Sequence, residues 1–118
     1  MAKEIVRIVP KGWGQEAWLV NKREYCGKLL LFKKGKKCSW HYHKLKDKTF
    51  YVQSGRLEVW FSYYNEIEMA DKVILESGDV FHIPMRIRHQ LLGLEDTQVL
   101  ELSTQHFDND FYRLIQGD

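Results

Sequence analysis

The chain has 118 residues, 44% hydrophobic and 29% charged, and 18 basic against 16 acidic side chains leave a net charge of +2. That length buries a core without staples or a structural metal, and the charge balance is too even for a nucleic-acid or other polyanion-binding surface. No apolar run is long enough to span a membrane, and two cysteines at this spacing make neither a disulfide framework nor a zinc knuckle.

The opening MAKEIVRIVPKGWG lacks the apolar core and small-residue cleavage site of a secretory signal. A cytoplasmic protein is therefore expected, with residues 1–118 as one domain, Cys26 and Cys38 as buried free thiols, and neither nucleic acid nor membrane as partner. Apolar residues then alternate with period two in short blocks, the signature of half-buried strands. In chain order these are 15–20, 25–32, 38–43, 49–53, 56–61, 72–75, 80–83, 88–92 and 98–103. The clearest, 56–61, sets Leu57, Val59 and Phe61 on one face and Arg56, Glu58 and Trp60 on the other. Turn residues separate several blocks: Gly27, Gly35, Gly55, Gly78 with Asp79, Pro84 and Gly93. Lys33, Lys34, Lys36 and Lys37 crowd the turn at Gly35 and read as a solvated hairpin tip. Residues 65–71 are polar and suit a short helical turn, and the tail from His106 suits a last strand or one helical turn. Many short strands without helical patterns between them predict an all-β sandwich or barrel.

Side chains two apart on a strand share a face, so His41 and His43 project together while Tyr42 points away. Two such imidazoles reach one ion at ~2.1 Å. The pattern H-x-H is weak alone, and the spacing around it carries more. Gly35 precedes His41 by five intervening residues, Gly55 lies twelve positions beyond His43, Gly78 precedes Pro84 by five intervening residues, and His89 follows after four more.

With these two spacings the chain resembles the cupin superfamily, whose first motif runs glycine, two alternating histidines, glutamate and glycine, and whose second runs glycine, proline, glycine and histidine. The resemblance implies a double-stranded β-helix, or jelly-roll barrel, that forms a homodimer. It makes His41, His43 and His89 the ligands of a divalent transition metal: zinc, iron, nickel or manganese. Lys48 stands where the family places the glutamate, Arg86 replaces the second motif's inner glycine, and Gly93 falls where asparagine is common.

A closer similarity is to the small cupin module of type II mannose-6-phosphate isomerases. It is carried by Gly12-Trp13-Gly14, by Lys28 before 29–32, by Leu100-Glu101-Leu102, and by DNDFYR up to Arg113. It implies a sugar or sugar phosphate as the small-molecule ligand and an isomerase-like reaction. In that reaction the metal polarises the carbonyl, Glu101 or neutral Lys48 is the base, and Arg86 and Arg113 hold a phosphate. The alternatives are a three-histidine iron-dependent dioxygenase and a binding cupin without turnover.

The lysine at the glutamate position raises a conflict of charge. At an effective dielectric of ~20, a unit charge ~5 Å from a dication is repelled by several kcal/mol. Lys48 therefore swings outward, loses its proton, or fills the place of a metal. Its long stem favours the outward course. Glu101 and Gln53 are expected to face solvent, His82 to pack near the site or in the core, and His106 to be solvated. Trp13, Trp18, Trp40, Trp60, Phe50, Tyr51 and Phe61 are expected to build the core and a dimer surface.

Overall fold

Period-two alternation produces strands throughout the computed structural model, which describes residues 1–118. The strands are β1 (Arg7–Lys11), β2 (Gly14–Asn21), β3 (Cys26–Phe32), β4 (Trp40–Tyr42), β5 (Lys48–Ser54), β6 (Arg56–Ser62), β7 (Asp71–Glu76), β8 (Val80–Ile83), β9 (Arg88–Gly93), β10 (Thr97–Ser103) and β11 (Tyr112–Ile115). The single helical element is a 3-10 turn at Ile67–Met69, inside the polar segment where one was expected. No helix is long and apolar enough to cross a membrane.

Two antiparallel sheets result, one in the order β1-β2-β3-β10-β5-β8 and the other β11-β4-β9-β6-β7. From β3 onward the chain passes repeatedly between them, as a cupin jelly roll requires. The alternation at β6 holds: Leu57 and Val59 are fully buried, and Phe61 packs against the core that they share with Leu30, Phe50, Val52, Leu75, Ile83 and Val99. Trp13 stacks on Phe32 with ring centroids 4.2 Å apart.

Gly55 turns β5 into β6 at φ 93°, and a Cβ there would meet Asp96 O at 2.4 Å, so the first motif's closing glycine has a steric cause. The lysine-rich tip around Gly35 is exposed, and both cysteines are buried and free. One strand lies outside the predicted blocks: β1 carries Pro10, is mostly exposed and shows no apolar period. In the tail the strand alternative holds, as β11, with three of its four residues exposed.

Candidate metal centre

β4 and β9 are neighbours, with His41 directly opposite His89 in the ladder, and His43 follows just beyond the end of β4. The potential ligand atoms of the three lie within 4.8 Å of one another, and all three residues are buried. Each ring is aimed by a hydrogen bond from its Nδ1–H to a backbone carbonyl. His41 donates to Ser39 O (2.8 Å), His89 to Ile87 O (2.9 Å) and His43 to Asp110 O (2.5 Å). A carbonyl only accepts, so every Nδ1 carries the proton and every Nε2 keeps its lone pair, as metal-bound histidines require. His89 Nε2 is buried without any partner.

Burial, reinforced by the neighbouring Lys48 ammonium, holds all three imidazoles well below the usual histidine range, His41 at about 3. They are neutral, the form that ligates metal. Phe111 stacks on His41 at 4.6 Å and closes the site from the C-terminal segment. Two donors ~2.1 Å from one ion stand at most ~4.2 Å apart, so a small ring rotation brings the cluster within bonding range.

Lys48 does not swing outward. It is 5% exposed, with Nζ 3.2 Å from His43 Nε2 and 3.4 Å from Glu101 Oε1. The cause is register: Lys48, Phe50 and Val52 alternate inward along β5, while Thr97, Val99 and Glu101 alternate inward along β10. A buried counterion thus replaces the solvent that the ammonium would otherwise seek. Burial lowers Lys48 to about 8, with Glu101 opposing the shift.

Glu101 is likewise inward, 5% exposed, rather than solvent-facing as expected; Gln53 does face solvent. Burial alone would raise the Glu101 carboxyl, but Lys48, Lys46 and Lys28 together hold it below the usual carboxylate range.

A cavity of about 360 Å³ opens over this ground, lined by His41, His43, His89, Lys48, Glu101 and Arg113 among others. Arg86 does not join them. It sits exposed in the turn after Pro84 at φ 71°, a left-handed conformation that explains the family's glycine, and its backbone N–H donates to His43 O at 2.7 Å. His82 neither packs in the core nor approaches the histidines, because it pairs with Asp47 at 2.6 Å near the surface. His106 is not solvated: its side chain is 12% exposed, lines the cavity and lies 3.4 Å from Lys28 Nζ. Trp18, expected in the core or a dimer surface, also lines the cavity, and Lys28 Nζ sits 3.9 Å from its ring centroid.

Four residues escape the sequence reading. Lys28 shares its face of β3 with Leu30 and Phe32, so alternation alone marks it as inward. Lys46 lies in a loop, where no period signals burial. The Asp110 carboxylate accepts from Lys44 N and Leu45 N and fixes the turn after His43, and Phe111 follows it. Both belong to the tail, which the sequence leaves open between strand and helix.

A family model described as cupin domain matches residues 28–104. Among solved structures, CapF from Staphylococcus aureus, described as a capsular polysaccharide assembling protein, matches with TM-score 0.82 at 20% identity, over 96% of this chain and 35% of that one. KdgF from Halomonas sp. matches with TM-score 0.69 at 25% identity, over 80% of this chain and 81% of that one. A variant of oxalate decarboxylase from Bacillus subtilis matches with TM-score 0.79 at 16% identity, over 92% of this chain and 30% of that one. Oxalate decarboxylase has Mn(II) centres, and CapF has been crystallised with the inhibitor 3-isopropenyl-tropolone. This chain spans about a third of CapF and of oxalate decarboxylase, and its likeness to those two is one of fold. No curated protein sequence matches it.

Proposed function

This chain belongs to the cupin family, and on that premise we propose that it holds a divalent transition metal on His41, His43 and His89 and binds a small carbohydrate derivative in the cavity beside them. The observation that carries this reading is the set of three neutral imidazoles, each anchored through Nδ1, with Nε2 atoms converging and His89 Nε2 unpartnered. A buried nitrogen without a partner costs about 1–3 kcal/mol, which ligation would recover. When bound, the metal supplies Lewis-acid polarisation of a carbonyl or hydroxyl oxygen. Three imidazoles suit zinc, iron and nickel, and manganese is included on the Mn(II) centres of oxalate decarboxylase alone.

The finer reading is a sugar-phosphate isomerase-like activity, supported by the resemblance to type II mannose-6-phosphate isomerase modules and by the description of CapF. Isomerisation moves a proton from a carbon beside a carbonyl to its neighbour and needs no redox partner. Lys48 and Glu101, 3.4 Å apart beside His43, are the groups in this chain positioned to carry that proton. Arg113, on the cavity wall, is the group to hold a phosphate. We read residues 1–118 as one cupin unit that dimerises through β1, whose outer edge is unpaired and exposes Ile8. Sedimentation showing only monomer at high concentration would remove the dimer.

Elemental analysis of protein purified without an affinity tag tests the metal: about one ion per chain is expected. Metal-free protein that also takes up no zinc, nickel, manganese or iron(II) on titration would overturn it. One observation favours a second reading, a metal-free binding cupin without turnover. The Lys48 ammonium, 3.2 Å from His43 Nε2, already occupies a lone pair that a cation would use. Protein that purifies without metal and still binds a sugar phosphate unchanged would establish that alternative.

A further inference from the structure

Lys28, Lys46 and Lys48 are 3%, 3% and 5% exposed, and the buried carboxylate that faces the cavity with them is Glu101. Lys48 Nζ lies 3.4 Å from its Oε1 and Lys46 Nζ 3.7 Å from its Oε2, and Lys28 is directly opposite it in the β3–β10 ladder. Lysines are almost never buried unless paired, and an uncompensated buried charge costs several kcal/mol. Glu16, at 3.9 Å from Lys28 Nζ, answers a second ammonium from the cavity rim. The other carboxylates on the cavity wall are already engaged: Asp108 with His106, and Asp118 with the backbone N–H of Lys37. Arg7 and Arg113 line the same space. Three buried ammonium groups thus share two carboxylates, an excess of one positive charge on the wall of a cavity open to a ligand.

We propose that Lys28, Lys46 and Lys48 form an anion seat, and that the cavity takes a small organic acid or phosphate ester whose negative group lies against them. The proposal deepens the ligand-binding reading above and rests on it, but the seat is built from ammonium groups of the six-stranded sheet and its adjoining loop and does not depend on a metal. A neutral sugar would leave the excess charge uncompensated. A carboxylate or phosphate monoester supplies both the charge and acceptor atoms for the lysine N–H groups.

Calorimetry on the whole chain tests this with glucose, glucuronate and glucose 6-phosphate at one ionic strength, on EDTA-stripped and zinc-loaded protein in parallel. At least one anion is expected to bind about ten-fold or more tighter than glucose, roughly 1.4 kcal/mol, in both preparations. The tighter anion distinguishes a carboxylate ligand from a phosphate ester. Lys46→Met keeps the apolar stem and is expected to lower anion affinity by a similar factor while leaving glucose unaffected. If that variant does not fold by circular dichroism, the ratio measured on the wild type decides alone. No anion binding at millimolar concentration, glucose binding as tightly as both anions, or a folded Lys46→Met that keeps its anion affinity would each overturn the seat. Failure of zinc uptake with the anion preference intact would remove the metal reading and leave the seat standing; zinc uptake without anion preference would do the reverse.

Discussion

The five-stranded sheet brings three neutral imidazoles to the cavity, whereas the six-stranded sheet brings Lys28, Lys48 and Glu101, with Lys46 from the loop before β5. The imidazoles are aimed one by one: His41 and His89 each bond the carbonyl two residues back, and only His43 needs a partner from the tail. The lysines are held by shared carboxylates: Glu101 reaches Lys46 and Lys48, and Glu16 answers Lys28, which stands opposite Glu101 in the β3–β10 ladder. The two systems touch where Lys48 Nζ approaches His43 Nε2. Removing a group from the first should change what binds; removing the carboxylate from the second should change whether the sheet tolerates its own charges.

The sharpest way to break this contrast is Glu101→Gln, which leaves the buried Lys46 and Lys48 without their shared anion while Lys28 keeps Glu16. A loss of about 3 kcal/mol is expected, because the surviving charges stay buried and unpaired. Urea denaturation reads it, and an unchanged unfolding free energy would mean that the lysines are not balanced by this carboxylate. His89→Ala attacks the other side. Loss of one of three ligands should weaken zinc binding by about 100-fold or more, beyond the usual effect of disturbing a ligand's outer partner. Competition against a chromogenic chelator measures it, and unchanged affinity would place the metal elsewhere.

The same contrast explains what the sequence discloses. Both histidine segments announce themselves through local spacing, H-x-H before Lys48 and Gly78, Pro84 and His89 in series, because the geometry that aims them spans a few residues. The lysine cluster is tertiary. Lys28 and Glu101 meet only through the β3–β10 register, and Lys46 enters from a loop without period. The inward position of Glu101 was nonetheless open to reading, since it shares a face with Val99 and Thr97. That counterion, 3.4 Å from Lys48 Nζ, is what holds the ammonium inward against the pull of solvent on its long stem. The expected strand at 38–43 shortens to Trp40–Tyr42 for a different reason: Lys37 makes an isolated bridge to Leu92, Cys38 N donates to Leu91 O, and the ladder does not run continuously between.

Lys48→Glu sharpens the comparison at the point of contact between the two systems. It turns three lysines and one carboxylate into two of each, while removing the ammonium that lies against His43. The new carboxylate also faces Glu101, and a dication on the histidines relieves that repulsion, so metal and folding become coupled. Divalent-metal affinity is expected to rise about ten-fold or more, roughly 1.4 kcal/mol. Titration of both proteins with zinc, nickel and iron(II) checks this. Equal or weaker binding by the variant would mean that the ammonium does not limit the histidine site.

The smallest expected effect concerns the turn that links the two histidine segments. Arg86 adopts φ 71°, and its backbone N–H donates to His43 O at 2.7 Å, so the left-handed turn ties the segment before β9 to the end of β4. A non-glycine residue there carries roughly 1–2 kcal/mol of steric penalty, while glycine carries about 0.5–1 kcal/mol of extra chain entropy. Arg86→Gly should therefore stabilise the fold by about 0.5–1 kcal/mol, and Arg86→Ala, which keeps a Cβ in the same conformation, should not. Thermal unfolding of the pair separates them, and glycine no more stable than alanine would mean that the turn is unstrained. Because the arginine side chain is exposed and outside the cavity lining, and the N–H survives either change, affinity for zinc and for glucose 6-phosphate should remain at the wild-type value. A selective loss of glucose 6-phosphate affinity would instead mean that Arg86 reaches the ligand from outside the cavity, extending the anion-binding side of the comparison onto the histidine-bearing sheet.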